Sequence, residues 1–193
     1  MKMQLTKFKG FGIRSVAASC LSVFLLGTAP LWADAAPYAG QEQREIASLS
    51  EGDVQDLLAG RGWGFAKAAE LNGYPGPAHV LELADDLALT SDQRAAVQAI
   101  FDAMNAQARV LGAQLVAAEA ALDAGFEGGT LAAVELSALV SDAGRIEADL
   151  RAVHLQAHLE TKPLMSRHQV MLYNEARGYS GGHSGHAGQG GHG

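Results

Sequence analysis

Two groups of histidines have a spacing that suits metal coordination. His154 and His158 are four residues apart in a segment of strongly helical composition. At that spacing two imidazoles project from the same side of a helix, close enough to share one Zn²⁺, Cu²⁺ or Ni²⁺ ion. His183, His186 and His192 lie in a Gly-rich tail, where they could gather around an ion with weak affinity and little selectivity. Both groups therefore predict binding of a divalent metal ion.

A further histidine has an acidic residue at helical spacing. His79 and Glu82 are three residues apart at a predicted helix start, a nitrogen and oxygen pair of the kind found at mixed metal sites. The fold could bring this pair near the helix that carries His154 and His158. Met104 could bind Cu(I) as a soft ligand, but its position on a helical apolar stripe favours packing in the core.

Each candidate residue also has an interpretation that involves no metal ion. His154 and His158 could be partly exposed residues of a helix face that make ordinary hydrogen bonds, and His79 could bond to a nearby carboxylate. His168 lies inside a predicted helix cap and is expected on the surface. The tail could be an inert low-complexity extension.

Catalysis is not expected from this sequence. No Gly-rich phosphate loop follows a strand, and there is no nucleophile elbow. Leu155, Gln156 and Ala157 separate the two helical histidines, so the Glu that acts as the base in zincin-type enzymes is missing. The sequence predicts a binding protein and not an enzyme.

The first 35 residues predict a signal peptide. Basic residues precede an apolar run over 16–26, and Ala33-Asp34-Ala35 supplies the small residues of a cleavage site. The run is too short to span a membrane, so we expect export, cleavage near Ala35 and no stable membrane insertion. Cys20, the only cysteine, has a poor lipobox around it and lies in the leader, so the mature chain has no thiol ligands.

The charge balance of the mature chain is acidic. The whole sequence has 14 Lys and Arg against 21 Asp and Glu, and the leader holds four of the former and one of the latter, which leaves 10 against 20. With neutral histidines the net charge is thus −10. Such a surface disfavours nucleic acid and favours cations or basic partners.

The elements that must position the histidines are helical, and the predicted fold class is all-α. Residues 36–76 form an N-terminal segment of short helices over 43–49, 51–58 and 65–71. Residues 77–179 form a helical hairpin domain, and 180–193 form a tail expected to be disordered without metal. Pro77 starts a helix that continues over 78–88.

The hairpin itself consists of two long helices. Thr90 and Gln93 form a capping box that begins a helix of about 33 residues, or roughly 50 Å. Residues 125–129 form the turn, and Thr130 caps a return helix over 131–161. The two helices should pack antiparallel. A second capping box, Ser166 with Gln169, begins a last helix that reaches about residue 177.

The return helix has an apolar seam, which consists of Leu139, Ala143, Ile146, Leu150, Val153 and Ala157. On this assignment His154 and His158 lie beside the seam, at the margin of the hairpin interface. A second chain or another helix could complete the coordination there.

The chain resembles the Spy/CpxP family of periplasmic proteins. The resemblance rests on the boxes LTSDQ at 89–93 and MSRHQ at 165–169, the leader and the long hairpin. PYAG at 37–40 and AELNGYPGPAH at 69–79 are similar to segments of its heavy-metal resistance and sensor branch. The similarity spans about residues 37–179.

The resemblance implies a hooked four-helix fold, a homodimer and a periplasmic location. It implies one of two roles, metal binding in heavy-metal sensing, resistance or envelope stress, or ATP-independent holdase chaperoning. The corresponding partners are a membrane-bound signalling protein or unfolded envelope proteins.

Overall fold

The computed structural model describes residues 36–179. The predicted signal peptide and the tail, with Cys20, His183, His186 and His192, lie outside the described residues. The described residues confirm the all-α class, since they contain helices and no strand beyond one isolated bridge. In chain order the elements are α1 (Glu51–Leu58), α2 (Lys67–Glu70), α3 (Pro77–Glu82), α4 (Ser91–Glu127), α5 (Ala133–Thr161), a 3-10 turn (Lys162–Leu164) and α6 (Arg167–Ala176).

The long helices α4 and α5 form the framework. They run in opposite directions, because a side chain at Gly125 near the end of α4 would meet Leu139 early in α5, while Met104 and Ala157 line one groove. With 37 residues, α4 is about 55 Å long. Thr90 accepts from the Gln93 amide and the Gln93 side chain accepts from the Thr90 amide, so the predicted capping box is confirmed.

The turn of the hairpin lies later than predicted. α4 continues through Gly125 to Glu127, and the N-cap of α5 is Ala132 in place of Thr130. The Glu135 carboxylate accepts from the Ala132 amide at 2.9 Å. This bond satisfies a free amide at the start of the helix without a capping hydroxyl, which explains why Thr130 is not needed there.

The N-terminal segment packs onto the middle of the hairpin. Ile46, Leu57 and Phe65 share a core with residues of α4 and α5. The predicted helix over 43–49 is wrong, because this stretch consists of turns and an isolated bridge between Ile46 and Leu49. Its polar groups bond to carboxylates of α4 instead, as in the 3.2 Å contact from the Ala47 amide to Asp123.

A second core lies where the N-terminal end of α4 meets α3 and α6. It contains Val80, Leu87, Val97, Met165 and Tyr173. α3 ends at Glu82 and not at the predicted Ala88, and α2 is shorter than the predicted helix over 65–71. Ala88 has a φ of 48°, which reverses the chain so that Leu87 is buried before Thr90 caps α4.

The last helix follows the sequence-based expectation. Ser166 accepts from the Gln169 amide, and the Gln169 side chain accepts from the Ser166 amide, so the second capping box is also confirmed. Across residues 36–179, every helix is too short or too polar to cross a membrane.

Candidate metal centre

One cavity brings together the histidines that the sequence separates by up to 79 positions. Its volume is about 740 Å³, and it lies among the N-terminal segment, α3, α4 and α5. All four metal-ligand candidates of the described residues line it, namely His79, Glu82, His154 and His158. Glu70, which was not a candidate, lines it as well.

His158 has one ring nitrogen held by the backbone. Its Nδ1 lies 2.7 Å from the carbonyl oxygen of Tyr74. A carbonyl oxygen only accepts, so Nδ1 must carry the proton and donate. In the neutral ring, Nε2 then has the free lone pair that a metal ion requires.

His154 is buried with no hydrogen-bond partner for its Nε2. Its ring stacks on Phe65 with centroids 6.0 Å apart, and only 3% of the residue is exposed. Burial, and then the neighbouring His158, holds the pKa of His154 below its usual value. The ring therefore stays neutral at neutral pH. A buried donor or acceptor without a partner is costly, so this nitrogen is a candidate ligand atom.

The third imidazole is held by a carboxylate. His79 Nδ1 lies 3.0 Å from Oε1 of Glu70, and the Tyr173 hydroxyl donates to the two oxygens of Glu70 at 2.8 and 2.9 Å. Burial, followed by Glu70, raises the pKa of Tyr173, so its hydroxyl keeps the proton that it donates. His79 is thus bonded to a nearby carboxylate, as its metal-free interpretation expected, and that carboxylate belongs to Glu70 at the end of α2. Glu82, the predicted second ligand, is exposed at the cavity lining.

Gly76 lies between two of these groups. A β-carbon at this position would be 2.9 Å from Nε2 of His158 and 3.2 Å from Oε1 of Glu70. The two polar atoms therefore face the same small space. A side chain larger than hydrogen at residue 76 would fill that space.

The histidines of α5 lie on the seam and not at its margin. His154 and His158 are both buried, at 3% and 6% exposure, whereas the predicted seam residue Val153 is half-buried. The expectation that His154 and His158 are partly exposed is therefore wrong, whereas the ordinary hydrogen bond expected in that interpretation is present at His158. The buried face of α5 is wider than the predicted seam, because the loops around Phe65 and Tyr74 also cover the side of the helix that carries the histidines.

Two other expectations agree with the structure. His168 is exposed, as expected of a surface residue, and Met104 is buried among the core residues of α4. Met104 also lines the cavity, so it lies near the histidines without being exposed.

The donors line the cavity without converging on one point. Among residues 36–179, no three His, Cys, Asp or Glu side chains are grouped closely enough to hold an ion. The individual nitrogens are suited to coordination, but as placed these side chains do not form one complete set of ligands.

Sequence reasoning missed Glu70, Tyr173 and Gly76. Glu70 and Gly76 belong to the AELNGYPGPAH segment that also contains His79, so that segment held a signal for two of them. Tyr173 is 94 residues from His79, and nothing in its local sequence marks it.

Comparison with protein-family models, curated proteins and solved structures finds no match for this chain. The resemblance to the Spy/CpxP family therefore rests on the sequence motifs.

Proposed function

We propose that this chain is an exported metal-binding protein of the bacterial envelope, which acts in heavy-metal sensing, resistance or stress and not as an enzyme. The metal ion, Zn²⁺, Cu²⁺ or Ni²⁺, is bound in the cavity by His154 and His158. His79 is a further candidate ligand, although among residues 36–179 no three donor side chains are grouped around one point. Glu70 orients His79, and Glu82 lies at the lining as a further oxygen donor.

The observation that carries this proposal is the state of the Nε2 atoms. His154 has a buried Nε2 without a partner, and the Nδ1 contacts of His158 and His79 leave their Nε2 atoms as the available donors. Metal-binding histidines commonly donate their other ring N–H to a carbonyl or carboxylate in this way. A set of neutral imidazoles selects borderline transition metals over Ca²⁺ or Mg²⁺.

Calorimetric titration of the full chain with each ion tests the proposal. His154→Gln and His158→Gln keep a polar side chain of similar length while removing the imidazole, which limits the loss of packing. We expect the pair of substitutions to remove binding, or to weaken it by more than the roughly 10- to 100-fold that loss of an outer-shell partner costs. His168→Gln is the matched control, because His168 is exposed on α6.

Unchanged affinity and stoichiometry in the double variant would refute the cavity as the metal site. Circular dichroism of each variant should be recorded beside the titration, so that unfolding is separated from loss of a ligand.

A second function, ATP-independent holdase chaperoning, is supported by exposed apolar side chains near the hairpin turn. Phe126 of α4 and Val134 and Val140 of α5 are all more than half exposed. Apolar side chains at one end of a protein can hold unfolded clients. This function predicts suppressed aggregation of a denatured model substrate without ATP, and Phe126→Ser with Val134→Ser should reduce the suppression.

The finer fold and assembly belong to the same proposal. Membership in the Spy/CpxP family would make α4, α5 and their flanking helices a hooked four-helix fold, and would pair two copies as a homodimer in the periplasm. A membrane-bound signalling protein would be the partner of a sensor. Light scattering with and without metal measures the oligomeric state, and a monomer under both conditions would argue against the homodimer.

A further inference from the structure

Among the described residues that line the cavity, Met104 has the only sulfur atom. It belongs to α4, and 9% of the residue is exposed. Of its neighbours on the lining, Phe101 has no donor atom, and the Asn105 amide donates to the Ala59 carbonyl at 3.0 Å. The soft donor that α4 offers to the cavity is thus the Met104 thioether.

Met104 lies against the part of α5 that carries both histidines. It lines the cavity together with His154 and His158, and it also lines a smaller groove between α4 and α5 together with Val153 and Ala157. These four residues of α5 fall within 153–158, roughly one and a half helical turns. A side chain that borders both spaces lies between them. The thioether and the two imidazoles are therefore neighbours across the interface of α4 and α5.

The donors at this interface are uncharged. Burial, and then the neighbouring His158, holds the pKa of His154 below its usual value, so the ring is neutral at neutral pH. A thioether has no charge at any pH, and the Glu70 carboxylate on the lining is already bonded to Tyr173 and His79. The cost of removing an ion from water rises with the square of its charge, so a divalent ion costs roughly four times as much to bury as a monovalent one. Buried neutral donors therefore favour a monovalent ion.

Aromatic side chains shield the same donors from water. Phe65 stacks on His154 with ring centroids 6.0 Å apart, and Trp63 packs edge-on against Phe65 at 5.3 Å. The apolar surroundings of a metal site control the access of water and the oxidation state that is favoured. Cu²⁺ prefers harder nitrogen and oxygen ligands, including water, whereas Cu(I) is stable with soft donors in a dry site.

The number of donors favours the same ion. In the part of the chain that the structure describes, no three His, Cys, Asp or Glu side chains are grouped around one point. Zn²⁺ takes four ligands in most sites. Cu(I), with a filled d shell and a single charge, forms stable complexes with fewer donors, and a thioether adds one that none of those four residue types provides.

We propose that the cavity binds copper as Cu(I), with the Met104 thioether and the Nε2 atoms of His154 and His158 as ligands. This inference rests on the proposed function, because both imidazoles must be ligands, and it identifies the metal of that function. Soft thioether ligands select Cu(I) over Zn²⁺ and Ni²⁺. Met104 is then both a core residue and a ligand.

The test uses Cu(I) alone as the probe, under reducing conditions without oxygen. Every protein is the full chain with Cys20→Ser, so that the one thiol of the sequence does not compete for copper. The main variant is Met104→Leu, which removes the sulfur and nearly conserves the volume. Met165→Leu is the matched control, because Met165 is 8% exposed but belongs to the second core and not to the cavity lining.

Three measurements are made on each protein. Competition with a chromophoric Cu(I) chelator gives the affinity for Cu(I), and X-ray absorption at the copper edge detects sulfur bound to copper. Calorimetry with Zn²⁺ measures an ion for which a thioether is a poor ligand. His154→Gln with His158→Gln is measured in parallel.

We expect Met104→Leu to bind Cu(I) at least tenfold more weakly, since even loss of an outer-shell partner costs roughly 10- to 100-fold. The copper–sulfur signal should disappear, while the affinity for Zn²⁺ should stay unchanged. Met165→Leu should match the parent chain in all three measurements. The signal in the parent chain itself does not depend on any variant, so a folding defect in Met104→Leu leaves the inference testable.

Two results would overturn the inference and leave the proposed function intact. One is an equal Cu(I) affinity of Met104→Leu and the parent chain, while His154→Gln with His158→Gln loses binding. The other is a parent chain whose copper is surrounded by nitrogen and no sulfur. Failure of the proposed function looks different, since the parent chain would then bind neither Zn²⁺ nor Cu(I) in a way that depends on His154 and His158.

Discussion

Gln93 and Gln169 exchange hydrogen bonds between their side-chain amides, at 3.0 and 3.1 Å. Each is the third residue of a helix with a capping box, so the exchange joins the beginning of α4 to the beginning of α6. The same amide nitrogens also donate to the carbonyls of Leu164 and Leu87. The two repeated boxes of the sequence thus form one contact in the fold.

This exchange predicts that substitutions of Gln93 and Gln169 have coupled effects on the free energy of unfolding. Gln93→Ala and Gln169→Ala should each destabilise the fold by about 1–2 kcal/mol, because each removes a cap and a cross-helix bond. In a double-mutant cycle the coupling should be about 0.5–3 kcal/mol, as for residues in one hydrogen-bond network. Urea unfolding measures it. Gln98→Ala, at an exposed residue of α4, is the control, and additive losses would contradict the coupling.

The boxes were predictable because capping depends on neighbouring residues. Thr90 and Ser166 each needed only a Gln three positions on to fulfil the motif. Their contact with each other was not predictable, because it depends on how the 3-10 turn after α5 returns α6 to α4. The start of α5 was mispredicted for a local reason, because the Glu135 carboxylate accepts from the Ala132 amide and no hydroxyl of Thr130 is needed.

The candidate site was likewise predictable from the sequence only where it depends on neighbouring residues. The spacing of His154 and His158 predicted that both rings share one helix face. Which face is buried depended on Phe65 and Tyr74, which are 89 and 84 residues distant in the chain. Periodicity within α5 therefore placed His154 beside the seam, although its side chain is buried. Likewise, His79 bonds to Glu70 across the loop between α2 and α3, which helical spacing alone did not indicate.

A methyl group added at Gly112 is expected to cause a large loss of stability. A β-carbon there would lie 2.1 Å from the carbonyl oxygen of Leu57, so α1 approaches the backbone of α4 directly. Gly112→Ala should destabilise by about 1–3 kcal/mol or more, because backbone must shift.

Gly144 in α5 is the matched control for this substitution. It has open space where a β-carbon would be. Gly144→Ala should stabilise by about 0.5–1 kcal/mol, since alanine favours the helix. Thermal unfolding of both variants measures the contrast, and equal effects would refute the close approach of α1 to α4.

The hydrogen bonds of Asp53 in the N-terminal segment predict that the stability of the fold depends on pH. Its carboxylate accepts from the Ser50 hydroxyl and amide and from Nε1 of Trp63, at 2.6 to 2.9 Å. These bonds, that of the Ser50 hydroxyl most, hold the pKa of Asp53 below its usual value of 3.8. A lowered folded-state pKa stabilises the fold above pH 3.8, and this contribution is lost as the pH falls through the folded-state value.

Asp53→Asn should therefore cost about 1–2 kcal/mol at pH 7, as expected for bonds to a charged acceptor. The difference from the unchanged chain should shrink below pH 4. Denaturant unfolding across pH 3 to 7 gives both stabilities. Asp86→Asn, at an exposed residue, is the control, and a difference for Asp53→Asn that is constant with pH would contradict the assignment.

Tyr173→Phe tests whether the hydroxyl positions the Glu70 and His79 pair. The hydroxyl also accepts from the Gly76 amide at 3.3 Å, and the residue is fully buried. Its loss should destabilise the fold by about 1–3 kcal/mol. Metal affinity should fall roughly 10- to 100-fold, as for other outer-shell partners. Tyr38→Phe, at an exposed tyrosine, should change neither quantity. A stability loss with unchanged metal affinity would assign Tyr173 to the core alone.

Gly76→Ala tests the space between His158 and Glu70 without changing any donor. The new methyl group would lie 2.7 Å from Cε1 of His158 and 2.9 Å from its Nε2. The ring must move, and the lone pair of Nε2 is covered where an ion would approach. Metal in hundredfold excess over its Kd should stabilise the unchanged chain by about 2.7 kcal/mol.

Thermal unfolding with and without a chelator measures this stabilisation, which should be nearly absent in Gly76→Ala. Gly62→Ala is the matched control, since Gly62 lines the same cavity with open space at its β-position. Because the comparison is made within each variant, a loss of stability without metal does not affect it. Full stabilisation of Gly76→Ala by metal would mean that the ion does not bind at His158.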